Sequence, residues 1–278
     1  MRNLTPLDTD PINDYDAITD SKHNPAKFVL KQSRPFVFER YIQYKDHFDR
    51  NRLEDLNKSV ITADQVNYLK DCYSNSTQAL NNIIANIKNK QPLHLRSICQ
   101  YCGIDTDNTV DHYLPQSDFP EFSVNHLNLF PCCAVCNPIK NNYWFDGVNF
   151  HRGIINLYID EYPLEQFLFV DVNLVNGNPI IKYHINNLNG INPRLYQIIE
   201  NHFERIKLIN KYNDKTNNIY TRIHNMYLGK AVYSGKPKLI KQDLLIDAQN
   251  HFNSFGRNHY EGVLIDALAN NDDFINLF

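Results

Sequence analysis

The chain has 278 residues, 42% of them hydrophobic and 21% charged, which is enough to bury a core in one or two domains. No apolar run approaches the roughly 18 residues of a membrane span. The opening MRNLTPLDTDP has neither the basic start nor the apolar stretch of a secretory signal, so the expectation is a cytoplasmic chain with no membrane partner. A net charge of −3 gives no general argument for a nucleic-acid partner. The charge is uneven, however. Residues 194–241 carry ten Lys/Arg against Glu200, Glu204 and Asp214, a local +7, whereas residues 242–278 sum to −5. The basic stretch suits either a phosphate backbone or an ordinary solvated helix face.

Residues 1 to about 35 are polar, carry five aspartates and are broken by Pro6, Pro11, Pro25 and Pro35, which reads as an extended or weakly ordered arm. Phe28, Val29, Leu30, Phe36, Val37 and Phe38 could still dock it. From Thr62 to Lys90, the positions Val66, Leu69, Tyr73, Leu80, Ile83, Ile84 and Ile87 recur at helical steps behind a Thr62 N-cap, and Cys72 reads as a core thiol. Pro92 closes this region. Residues 1–92 are therefore expected to form an arm and helical region, 93–150 a cysteine-rich core, and 151–278 a hairpin and helical region. In the last of these, 166–175 and 180–185 are joined through Asn176-Gly177-Asn178 as a β-hairpin. Asn192-Pro193 opens a helix whose stripe runs from Leu195 through Ile198, Ile199, Phe203 and Ile206 to Ile209. Further helices are expected over 241–255 and 258–269. The class is α+β.

Four of the six cysteines form two Cys-x-x-Cys pairs, Cys99/Cys102 and Cys133/Cys136. In a cytosolic chain this pattern points to metal rather than to disulfides, and two knuckles suit a tetrahedral structural zinc. Cys132 stands outside the scheme, because only Cys133 keeps the two-residue spacing to Cys136.

Between and after the knuckles come Asp111-His112-x-x-Pro115, Asn128-Leu129, then Asn137 directly behind Cys136, and Lys140. In order and spacing these elements resemble the HNH (ββα-metal) endonuclease family over roughly Cys99 to Asn142. The third signature position is Asn137 rather than His, a variation the family includes. The resemblance implies a zinc-bound ββα core flanked by helices and a hairpin. It makes His112 the general base, and an unperturbed imidazole pKa near 6.5 suits that task. Asp111 and Asn137 become ligands of a catalytic Mg²⁺ or Mn²⁺. Asn128 would brace the loop carrying the base, and Lys140 would hold a phosphate oxygen. Two residues keep plainer readings: Asn137, before Pro138, as a helix cap, and Lys140 as a solvated helix residue. His126 and His151 read as structural or exposed.

The implied substrate is nucleic acid, DNA ahead of RNA. The long flanks resemble defence-associated HNH proteins such as the nuclease subunit of Septu anti-phage systems, which works with an ATPase. The competing readings are a zinc-stabilised nucleic-acid-binding or scaffold protein without turnover, and an RNA-cutting toxin.

Overall fold

Helix α1 (Pro11–Asp20) starts where Asp10 caps the Ile12 amide at 3.1 Å and Pro11 takes the first helical position. The second helix, α2 (Ala26–Asp49), begins directly after Pro25 and runs through Pro35. The expected N-terminal arm is therefore helical instead. Two of its prolines stand at helix starts, and the cost of Pro35 inside α2 is offset by a buried stripe of Leu30, Val37, Tyr41, Tyr44 and Phe48. Upstream of α1, Leu4 donates its amide to the Leu157 carbonyl at 2.8 Å, and the Thr5 backbone is paired both ways with the Gln91 amide.

The computed structural model describes residues 2–175, 178–234 and 237–278. The chain divides into two compact units, Asn3–Glu161 and, with Arg2, Tyr162–Phe278. Both are built from helices and small antiparallel sheets, an α+β architecture.

In the first unit the single helix expected over 62–90 is two, α3 (Ala63–Ser74) and α4 (Gln78–Asn89). The run Ser74-Asn75-Ser76-Thr77 is rich in cap formers. Thr77 Oγ1 accepts from the Leu80 amide at 3.2 Å and restarts the helix. Next come β1 (Thr109–His112) and β2 (Leu129–Cys132), paired antiparallel with Asp111 opposite Phe130 and His112 opposite Leu129. A five-residue helix, α5 (Cys136–Lys140), follows, and then the short pair β3 (Phe145–Asp146) and β4 (His151–Arg152). Helix α2 supports this region. Its Arg40 Nε meets Glu121 Oε1 at 2.8 Å, and Tyr44 donates to the Leu127 carbonyl at 3.0 Å.

In the second unit, β5 (Leu168–Val175) and β6 (Asn178–Ile185) form the expected hairpin in register from Leu168↔Ile185 to Val175↔Asn178; Asn176 and Gly177 lie outside the described residues. Asn258 clamps its base, accepting from the Phe167 and Leu168 amides and donating to the Glu165 carbonyl. Asn192 caps α6 (Pro193–Ile206) as its sequence indicates. The helix ends sooner than the stripe to Ile209 suggested, because Lys207 turns left-handed at φ 59°. Beyond it lie α7 (Leu208–Ser234), which sequence reading missed, α8 (Pro237–Phe255), α9 (Tyr260–Ala269) and α10 (Asp272–Ile275). The basic stretch falls on α6, α7 and the start of α8. Part of its charge is met by the acidic tail, since Arg222 pairs with Glu261, and Lys230 with Asp243 at 3.3 Å.

Candidate active site and metal centre

The first knuckle turns tightly. The Cys99 amide donates to the Asp105 carbonyl and the Gly103 amide returns to Cys99 at 2.9 Å, with Gly103 at φ 67°, a conformation that favours glycine. Gln100 N–H reaches the Pro131 carbonyl at 3.2 Å and ties this knuckle to β2. In the second knuckle the Cys136 amide donates to Cys133 Sγ at 3.3 Å, a bond that stabilises a thiolate. Together these turns bring Cys99, Cys102, Cys133 and Cys136 into one buried group whose sulfurs all lie within 4.8 Å of one another.

Four thiolates bound tetrahedrally at about 2.3 Å stand about 3.8 Å apart, so the cluster fits an ion such as zinc with little rearrangement. Hydrogen bonds among the thiols hold Cys102 far below its ordinary value and pull Cys133 down to about 6, while the same bonds push Cys99 far up. Cys132 is excluded from the group. It is buried, its sulfur lies 3.3 Å from Thr109 Oγ1, and burial pushes it up to about 12, so it is an inert core thiol.

Asp111 and His112 end β1 beside this centre. His112 Nε2 lies 2.8 Å from the Ser123 carbonyl, which can only accept, so Nε2 carries the proton of the neutral ring. The Gln116 side-chain amide nitrogen lies 3.1 Å from the same ring nitrogen. Nδ1 is left with its lone pair and without a hydrogen-bond partner among the described residues. Burial lowers the ring to about 4, so it is neutral at physiological pH. Tyr73 of α3 packs edge-on against it, with ring centroids 4.4 Å apart.

Asp111 is also buried. Burial raises its carboxyl, while Lys140 and Tyr101 oppose the rise. Its Oδ2 accepts from Tyr101 Oη at 2.7 Å and pairs with Lys140 Nζ at 2.7 Å. Lys140 is wholly enclosed, and its ammonium also faces the His112 and Asn141 carbonyls at 2.8 and 3.3 Å. It is therefore neither a solvated helix residue nor turned outward for a phosphate. Asn137 sits within α5 rather than capping it. Its Nδ2 donates to Thr109 Oγ1 and the Val110 carbonyl, and no described residue donates to its side-chain oxygen. Asn128 is fully buried and grips Leu114 from both sides, accepting from its amide at 2.7 Å and donating to its carbonyl at 3.0 Å.

Asp111, His112 and Asn137 open on one cleft of about 310 Å³, walled also by Gln116, Asn141 and Lys70. Asn128 and Lys140 lie behind this wall. Sequence reading missed Tyr73, Lys70, Gln116 and Ser123, which have no motif of their own. It placed His126 and His151 among structural or exposed residues. Both are buried, and His126 is paired through Nδ1 with Asp14 at 2.6 Å.

Among the described residues no helix is long and apolar enough to cross a membrane. No family model and no solved structure matches the chain. Two relatives are similar at a distance. Protein ea31 of Escherichia phage lambda is 27% identical over 191 residues, covering 63% of this chain and 62% of that protein. Septu protein PtuB of Bacillus thuringiensis is 25% identical over 190 residues, covering 64% of this chain and 66% of that protein. The match thus spans just under two thirds of each relative's length.

Proposed function

We propose that the chain is a metal-dependent HNH-type endonuclease that hydrolyses phosphodiester bonds of DNA in anti-phage defence. The observation that carries this reading is the disposition of His112, with Nε2 tied to a carbonyl and the residue lining one cleft with Asp111 and Asn137. Nδ1 takes the proton from water as the water attacks phosphorus. Burial keeps the ring neutral for that task, and the Ser123 carbonyl stabilises the imidazolium as it forms. Asn128 holds the chain that follows the base, and Lys140 orients Asp111 and favours its ionised form. Asp111 and the Asn137 side-chain oxygen are hard donors that would hold one Mg²⁺ or Mn²⁺, which when bound supplies an electrophile for the departing oxygen. The four cysteines would hold zinc and so fix the knuckles against β1 and β2. Similarity to PtuB supports the defence role and, through the family resemblance, gating by a partner ATPase.

A zinc-stabilised nucleic-acid-binding protein without turnover is favoured by one observation: Asp111 Oδ2 is already engaged by Lys140 and Tyr101. Plasmid cleavage with Mg²⁺ or Mn²⁺ and with chelator, with and without the partner, separates the two readings. His112→Ala is expected to retain fold and bound zinc while cutting falls by roughly 10²–10⁴-fold. Undiminished cutting by this variant under activating conditions would refute the mechanism.

A further inference from the structure

We propose that Lys70, on α3 and outside the cysteine module, is the residue that holds a substrate phosphate oxygen in the cleft of Asp111, His112 and Asn137. The inference rests on the nuclease reading and assigns to Lys70 the contact that the motif resemblance gave to Lys140.

Lys140 cannot reach a ligand in the cleft without leaving a fully buried position and breaking its ion pair with Asp111. Doing so would also strip the carboxylate of its counter-charge. The phosphate contact has to come from another cation, and Lys70 is the only lysine or arginine among the described residues of the cleft wall. It is half-buried, and no described residue forms an ion pair with it. The acid beside it in sequence, Asp71, is engaged by Lys22 at 3.3 Å. The sole carboxylate of the wall, Asp111, is neutralised by Lys140. Lys70 is thus the uncompensated charge of the cleft, and that favours an anion there.

Its position is fixed rather than incidental. Lys70 and Tyr73 are three residues apart and share a face of α3. Tyr73 anchors that face, with its ring against His112 and its hydroxyl donating to the Val110 carbonyl at 3.0 Å. The contact that buries the edge of the His112 ring therefore also delivers an ammonium to the cleft that His112 lines. A lysine there acts as a point charge on a phosphate oxygen and needs no bidentate geometry.

The test uses the full chain in a His112→Ala background, so that bound nucleic acid is not cut. Anisotropy of a short fluorescein-labelled DNA duplex is measured over a salt series. Lys70→Ala is expected to weaken binding about tenfold and to flatten the slope of log affinity against log salt by about 0.9, the signature of one lost phosphate contact. Lys70→Arg should retain both values, and Lys70→Gln should behave like Lys70→Ala while keeping most of the stem. Melting curves of each variant show that the fold is intact. Unchanged affinity and slope in both Lys70→Ala and Lys70→Gln would overturn the proposal, and wild-type cutting would then leave the nuclease reading standing. Weakened binding by these variants in a protein that never cuts would do the reverse.

Discussion

Asp111 and His112 are neighbours on one strand, yet their surroundings differ in the charge state they favour. Burial raises the Asp111 carboxyl, and an ammonium and a phenol oppose that rise. His112 is given only a carbonyl and an amide in a buried pocket, and this keeps it neutral. The same division of labour by surroundings separates Cys132 from Cys133. Cys133 shares hydrogen bonds with other sulfurs and a backbone amide, whereas Cys132 meets a threonine in the core. Cys133→Ser is therefore expected to lose zinc, read as metal stoichiometry, and to melt at a lower temperature. Cys132→Ser should keep full zinc and cost only about 1–3 kcal/mol, because Thr109 Oγ1 remains as a partner for the new hydroxyl. Equal zinc loss in both variants would mean that the register through the second knuckle is wrong. These residues were legible in the sequence because spacing along the chain encodes their convergence: two turns of two residues each, and a motif closed by one ribbon and one helix start. Lys70 and Tyr73 were not legible, since only tertiary docking of α3 brings them to His112, and a lysine and a tyrosine three apart occur on many helices.

At the scale of elements, composition misled where periodicity would not have. Prolines and aspartates in the first 35 residues suggested disorder. Pro11 and Pro25 nevertheless act as helix initiators, and positions 30, 37, 41, 44 and 48 form a stripe that α2 buries. The consequence reaches the candidate site, because α2 holds the segment that carries Ser123. Arg40 pairs with Glu121, which is 1% exposed and among the described residues otherwise held only by Ser59 Oγ at 2.8 Å, and Tyr44 packs edge-on against Phe122 at 4.8 Å. Removing the guanidinium leaves a carboxylate buried with one hydroxyl for company. Arg40→Ala should lower unfolding free energy by about 3–5 kcal/mol in denaturant titration. Replacing Arg40 and Glu121 together by apolar residues of similar size should recover most of that loss. A single variant as stable as wild type would show that the pair is not what anchors this segment.

Over the whole molecule, the two units are stabilised by different means. All six cysteines lie in Asn3–Glu161, and the one tryptophan, Trp144, is buried there too. The unit from Tyr162 to Phe278 has no cysteine and is held instead by the β5–β6 hairpin, the Asn258 clamp and an aromatic cluster of Phe167, Phe203, Tyr212 and Tyr260. A structural zinc contributes on the order of 10–16 kcal/mol of apparent binding energy in small zinc domains, so its removal should be felt mainly by the unit that contains it. Two probes separate the outcomes, because tryptophan fluorescence reports Asn3–Glu161 alone while far-UV circular dichroism reports the helices of both units. A strong zinc chelator at neutral pH is expected to move the Trp144 transition to much lower temperature. The dichroism trace should then split in two, with a later step that keeps its midpoint and belongs to α6–α9. If both probes instead shift together by the same amount, the second unit depends on the metal centre for its own folding, and the independence inferred from its cysteine-free core is wrong.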